Sequence, residues 1–274
     1  MTKQVIHAKE LAIKLGLKDL YLKYEGNNPT GTHKDRIAAL HLERANGKKV
    51  VAASCGNLGV ALAKKGSEMN TVVEIWIPES FESPRIEEIK SYGAKVIRKP
   101  LSYEECVIES GKNAPYNANP GGQNSKLEFE VYKKIGEEIL KEIPEASAVG
   151  VPVSNGTTIV GISLSGLRVY AGSTKQNPII TSYQKGLKKC ESLDPKSLRE
   201  TSINEPLINW ASIDGDEALS VISGAVGAND DELVELSELM PVSAHPSSLA
   251  GLYALLKCAK EESCPVALIT SRNY

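Results

Sequence analysis

Three glycine-bearing turns carry the side chains best suited to chemistry, and each falls between a strand-like and a helix-like run. The first, Asn28-Pro29-Thr30-Gly31-Thr32-His33-Lys34-Asp35-Arg36, places Lys34 at or near a helix start. The positive end of a helix dipole disfavours an ammonium. A lysine held there loses its proton more readily, as attack on a carbonyl to form a Schiff base requires. A solvated lysine paired with Asp35 or Glu43 fits the same residues. The second turn is Ser54-Cys55-Gly56-Asn57-Leu58-Gly59 and the third Ser154-Asn155-Gly156-Thr157-Thr158. In the third, Asn155 and Gly156 tolerate the backbone angles that aim successive N–H groups inward, and Thr157 and Thr158 add hydroxyl donors. That is a phosphate cradle, although a strand–helix turn with Thr as N-cap uses the same residues. It is neither a P-loop nor a dinucleotide fingerprint.

The elements that must position these turns follow from the apolar pattern. Residues 20–24, 48–53, 71–77, 94–97, 148–153 and 265–269 read as strands. Residues 37–44, 57–65, 84–92, 127–143, 161–170 and 247–260 read as helices. In 127–143, Leu127, Val131, Ile135 and Leu140 mark an apolar stripe. Asp230-Asp231-Glu232 reads as a helix N-terminus, and Ser247 and Ser248 as an N-cap. Residues 172–208 mix Lys, Gln, Asn and Pro with short apolar runs and define no element. Strand–helix alternation predicts an α/β fold with parallel strands covered on both faces. Such sheets bind ligands outside the carboxyl ends of their strands, where all three turns fall.

Composition narrows the class. The chain of 274 residues has 32 Lys+Arg against 34 Asp+Glu, with no block of like charge. That balance gives no electrostatic footprint for nucleic acid. The N-terminal sequence has no signal-peptide h-region, and no apolar run reaches the ~18 residues of a membrane span. Five Cys without a CxxC pair argue against a disulfide framework or structural zinc site, and no metal is expected. A reducing, cytoplasmic compartment is the expectation. With 2 Phe and 2 Trp, the core must rest on Val, Ile, Leu and Ala.

Taken together, the three turns resemble the motifs of fold-type II pyridoxal-phosphate (PLP) enzymes, most closely threonine synthases. Residues 28–36 resemble the family's Asn-Pro-Thr-Gly-Ser-Phe-Lys-Asp-Arg, and 54–59 its Ser-x-Gly-Asn-x-Gly/Ala loop. Residues 151–161 are similar to its phosphate loop, 245–252 to its Pro-x-Ser-Ala segment, and 268–271 to its last strand with a Thr. The order of all five motifs is kept. The resemblance implies a tryptophan synthase β-subunit-like fold, two three-layer α/β domains with the cofactor between them. It puts residues 1–44 plus 131–274 in the larger cofactor domain and 45–130 in a smaller mobile domain. Lys34 is implied as the catalytic lysine, forming the internal aldimine with pyridoxal 5'-phosphate and then moving protons. Asn57 is implied at the ring hydroxyl, and Ser154, Asn155, Gly156, Thr157 and Thr158 at the phosphate. Thr270, or Ser271 beside it, is implied at the pyridine nitrogen. Ser54, Cys55, Gly56, Asn57 and Leu58 are implied around the substrate carboxylate.

A neutral hydroxyl at the pyridine nitrogen weakens the electron sink and suits β- or γ-elimination and replacement. The implied activity is therefore a PLP-dependent lyase or transferase on a small amino acid, threonine synthase-like, in a homodimer. Gly122-Gln123-Asn124-Ser125 stands where threonine synthases have Gly-Gln-Lys-Thr, Leu58 where a Thr is common, and His33 where Phe is usual. These departures keep two alternatives in view. One is a cysteine synthase-like β-replacement or serine/threonine dehydratase activity; the other is a shortened PLP-binding paralogue with a regulatory or partner role.

Overall fold

The computed structural model describes residues 4–54, 56–112 and 114–273. Two compact units divide the chain: Met1–Asn27 with Gly121–Asn273, and residues 28–120. The division falls at 27/28 and 120/121, whereas the family resemblance implies 44/45 and 130/131. The Lys34 turn and the helix after it therefore belong with residues 45–120.

The first unit opens with β1 (Val5–His7), α1 (Lys9–Leu15) and β2 (Tyr21–Tyr24). β1 and β2 pair antiparallel, Val5 opposite Lys23. The chain then enters the second unit through α2 (Lys34–Ala45), β3 (Val50–Ala53), α3 (Asn57–Glu68), β4 (Val73–Pro78), α4 (Pro84–Ser91), β5 (Lys95–Lys99), α5 (Tyr103–Lys112) and β6 (Tyr116–Asn117). Its four strands are parallel, in the order β5-β4-β3-β6. Central β3 is buried at every residue, as a strand covered on both faces must be. Ser83 caps α4 by accepting the Arg85 N–H, with Pro84 at the first helical position.

The first unit resumes with α6 (Ser125–Glu142), β7 (Ala148–Pro152), α7 (Thr157–Ser163), β8 (Arg168–Thr174), α8 (Pro178–Gln184), α9 (Gly215–Val221), β9 (Ile222–Ala228), α10 (Asp230–Leu239), α11 (Ala250–Cys258) and β10 (Pro265–Ile269). The sheet runs β1-β2-β10-β7-β8-β9, parallel except for β1. Alternation along β10 assigns its faces. Ala267 and Ile269 join the core formed with α1, α10 and α11, while Val266 and Leu268 are fully buried on the other side. The α11 backbone lies directly on the sheet. A Cβ on Gly251 would sit 2.5 Å from the Gly150 carbonyl oxygen, and one on Gly172 would overlap the Ala250 carbonyl. Among the described residues no helix is long and apolar enough to cross a membrane.

The structure corrects four local expectations. The helix predicted over 161–170 is instead the end of α7, a turn at Gly166 with φ +89°, and the start of β8. The 247–260 helix begins as a 3-10 turn, Pro246–Leu249, capped by the His245 ring accepting the Ser247 N–H rather than by a serine. α7 has Gly156, not a Thr, at its N-cap. On α6 the buried stripe is Glu128, Tyr132, Ile135, Gly136 and Ile139, one position past the predicted Leu127 and Val131. Glu128 is drawn inside because it accepts the Gly121 N–H at 3.0 Å.

Candidate active site

In the second unit, Lys34 opens α2, where the dipole argument requires it. Its N–H donates to Thr32 Oγ1 at 3.3 Å, and its side chain is half-buried. The preceding loop is held by Asp35, whose two carboxylate oxygens accept from the Thr30 N–H and hydroxyl, both at 2.9 Å. Burial pushes the Asp35 carboxyl above its ordinary value. His33 is buried at 8%, with Nδ1 3.4 Å from Thr32 Oγ1, so it is a packed side chain.

The loop after β3 brings Ser54, Gly56, Asn57 and Leu58 to the first turn of α3; Cys55 lies outside the described residues. Ser54 Oγ accepts from Gly59 N–H at 2.9 Å and from Gly56 N–H at 3.3 Å. Its own proton and the backbone N–H groups of Asn57 and Leu58, at the start of α3, are donors suited to a carboxylate. Leu58 is 4% exposed, so its side chain belongs to the core and only its backbone serves the loop. Asn57 Oδ1 accepts from Arg85 Nη2 at 3.0 Å. The same nitrogen lies 3.5 Å from the Thr30 carbonyl, and Nη1 is 2.6 Å from Glu88. Arg85 thus joins the Lys34 loop, the Asn57 loop and α4.

In the first unit, the Ser154 loop and Thr270 leave the carboxyl ends of β7 and β10, which are neighbouring parallel strands. Gly156 adopts φ +95°, and a Cβ there would meet the Asp214 carbonyl oxygen at 2.6 Å. Only glycine suits both constraints. A polar belt fixes the loop from outside. The Ser154 carbonyl accepts from Asn177 Nδ2 and Ser212 Oγ, and Asn155 Oδ1 accepts from Asn209 Nδ2. The Asn155 carbonyl accepts the Asp214 N–H. Asp214, 3% exposed, accepts the hydroxyls of Ser125 and Thr157, each at 2.5 Å. Burial raises its carboxyl above the ordinary range. Thr157 gives its proton to Asp214, which leaves the first-turn amides of α7 and the Thr158 hydroxyl as the anion donors. Thr270 Oγ1 donates to Ser248 Oγ at 3.1 Å, and Ser248 Oγ lies 2.9 Å from Ser271 Oγ.

The predicted residues therefore gather in two sets, Lys34, Ser54, Gly56, Asn57 and Leu58 on one unit and Ser154–Thr158 with Thr270 on the other. Sequence reasoning misses Arg85, Asn177, Asn209, Ser212 and Asp214. The one available signal is Asp214-Gly215 just before a helix, in a stretch with no other pattern.

Comparison with known proteins gives these positions a context. The model of a family described as pyridoxal-phosphate dependent enzyme matches residues 3–270. Threonine synthase of Methanocaldococcus jannaschii is 28% identical over 288 residues, covering 89% of this chain and 67% of its own. L-threonine ammonia-lyase of Thermotoga maritima is 24% identical over 293 residues, covering 98% and 72%. Among solved structures, maize serine racemase superposes with a TM-score of 0.84 at 21% identity, covering 100% of this chain and 90% of that one.

Proposed function

Because the chain belongs to the pyridoxal-phosphate dependent enzyme family, we propose that it is a lyase on a small amino acid, eliminating and replacing a β- or γ-substituent as threonine synthases do. The cofactor of the family is pyridoxal 5'-phosphate, and the residues present fit it. Gly156 sits in a left-handed turn at the start of α7, in a loop braced by side chains that leave its inner amides and the Thr158 hydroxyl to a phosphate. Bound pyridoxal phosphate supplies a sink for the electrons left at the substrate's α-carbon once its proton is gone.

The chain's own groups do the rest. The Lys34 amine, at the positive end of α2, holds the cofactor and then takes and returns the α-proton. Ser154 to Thr158 hold the phosphate. Asn57 would donate to the ring oxygen. The Ser54 hydroxyl and the Asn57 and Leu58 amides receive the substrate carboxylate. Thr270, whose hydroxyl donates to Ser248, would stand at the ring nitrogen as an uncharged neighbour.

That neutral partner carries the choice of reaction. Thr270 lies in a cluster of hydroxyls with Ser248 and Ser271. An uncharged hydroxyl at that position would leave the ring nitrogen largely unprotonated, which favours reactions in which a departing substituent takes the electrons. In this reading the protein works as a cytoplasmic homodimer, and sedimentation of the loaded protein tests the dimer.

A second reading is a serine/threonine dehydratase. The buried Leu58 makes the carboxylate loop less polar, and Gln123-Asn124 supplies no lysine for a phosphorylated substrate. The test is absorption spectroscopy of purified protein loaded with PLP. We expect a visible band that borohydride abolishes and that Lys34→Ala lacks. Release of phosphate and threonine from O-phosphohomoserine supports the first reading, and 2-oxo acid from threonine or serine the second. A colourless protein that takes up no PLP overturns both.

A further inference from the structure

We propose that Arg85 is a positioning residue that fixes the orientation of the Asn57 carboxamide, so that Asn57 meets the ring oxygen of the cofactor only as a donor. This rests on the assignment of Asn57 and Lys34 to the cofactor site.

Arginine has five N–H donors and no acceptor. Where Arg85 Nη2 stands 3.0 Å from the Asn57 carboxamide, the atom facing it must be Oδ1. The two ends of an asparagine amide are otherwise interchangeable in shape, and nothing else on α3 decides between them. With Oδ1 engaged, Nδ2 is the end left to a ligand, and it makes no hydrogen bond to any described residue. A flipped Asn57 would present an acceptor and stabilise a protonated ring hydroxyl. The orientation seen stabilises the ionised ring oxygen instead.

The guanidinium is built to hold that geometry. The Arg85 side chain is 3% exposed and is clamped on its other side by Glu88 at 2.6 Å. Ser83 and Pro84 fix the backbone at the start of α4. Nη2 also reaches toward the Thr30 carbonyl at 3.5 Å, so the loop that delivers Lys34 and the loop that delivers Asn57 refer to one cation. Hydrogen bonding from a charged donor also polarises the amide and strengthens Nδ2–H as a donor. A lysine could supply the charge, but one ammonium lacks the planar fork that reaches Glu88 and Asn57 together.

The test is the absorption of PLP-loaded wild type, Arg85→Met, Arg85→Lys and Lys34→Ala, with circular dichroism and thermal melting to establish folding. The ionised ring oxygen absorbs at long wavelength and the protonated one in the near ultraviolet. In Arg85→Met the ratio of the two forms should fall at least tenfold, and in Arg85→Lys about threefold. If Arg85→Met does not fold, Arg85→Lys decides: the threefold shift supports the role and a wild-type ratio overturns it. A folded Arg85→Met with the wild-type ratio overturns it as well. The assignment of the site fails separately, when wild type takes up no PLP or Lys34→Ala keeps the visible band.

Discussion

Gly251→Ala sets two physical effects against each other. Gly251 lies inside α11, where glycine is ~1 kcal/mol less favourable than alanine, so helix propensity alone expects stabilisation. Packing expects the opposite. The added Cβ would stand 2.5 Å from the Gly150 carbonyl oxygen, 2.6 Å from its carbon and 2.7 Å from Val151 N, all backbone atoms of β7. Relief requires α11 to rise from the sheet by about 0.9 Å to reach ordinary 3.4 Å contact. A gap of ~0.5–1 Å forfeits a quarter to a half of each dispersion contact. Leu252, Leu255 and Tyr253 are the large side chains α11 buries there, each stabilising by ~1.5–3 kcal/mol. The loss is then about 3 kcal/mol, and the net effect about 2 kcal/mol of destabilisation, within the usual range for overpacking. Urea unfolding should show it as a lower midpoint with unchanged slope, and thermal melting as a fall of about 4–8 °C. Gly166→Ala is the comparison: its φ is +89° and nothing lies within 4 Å, so it should cost only ~1 kcal/mol of backbone strain. A Gly251→Ala protein as stable as wild type, or more so, refutes the close approach of α11 to β7.

Other expectations follow from single side chains. Burial, with help from Glu200, pushes the half-buried Glu205 carboxyl up to about 7, against an ordinary 4.5. The protonated form therefore favours the folded state. That stability is complete below pH 4.5 and is lost as pH rises through about 7, a change of about 1–3 kcal/mol that Glu205→Gln should abolish in melts from pH 4 to 8. Gly156→Ala combines a left-handed residue with a Cβ 2.6 Å from the Asp214 carbonyl. It should cost ~1–3 kcal/mol and weaken PLP binding at least tenfold by fluorescence titration. Lys23 is fully buried between Glu25 at 3.6 Å and Glu138 at 2.7 Å. Lys23→Met removes the buried cation that Glu25 and Glu138 share and should lower the midpoint of urea unfolding, by more than the substitution of an exposed lysine such as Lys18 does.

The strands β3, β4, β7 and β10 are legible because their Val, Ile and Leu runs end at turn residues. β8 is not. Its Arg168–Thr174 stretch carries Ala, Gly and Ser because the α11 backbone rests on Gly172, and small residues erase the apolar signal of a buried strand. Lys34, Asn57 and the Ser154 loop are legible as candidates because each lies in a continuous turn segment. Arg85 and Asp214 are not, because their roles come from partners 28 and 57 residues away, Asn57 and Thr157. No local pattern encodes a contact between distant loops. Thr157 shows the difference: its hydroxyl reads as a phosphate donor, but the fold commits that proton to Asp214.

The strand order also dictates when the protein can become whole. β10 comes last in sequence among the described strands, yet it sits third in its sheet, between β2 and β7. The second unit has all its strands once residue 120 has emerged from a ribosome. The first unit must keep β2 waiting through the 240 residues that separate Tyr24 from Pro265. Until then β2 and β7 each present an open edge able to pair with another chain. Pro265–Ile269, the latest of these strands to be made, closes both edges at once, so yield in the cell should depend on how well nascent chains are shielded during that interval.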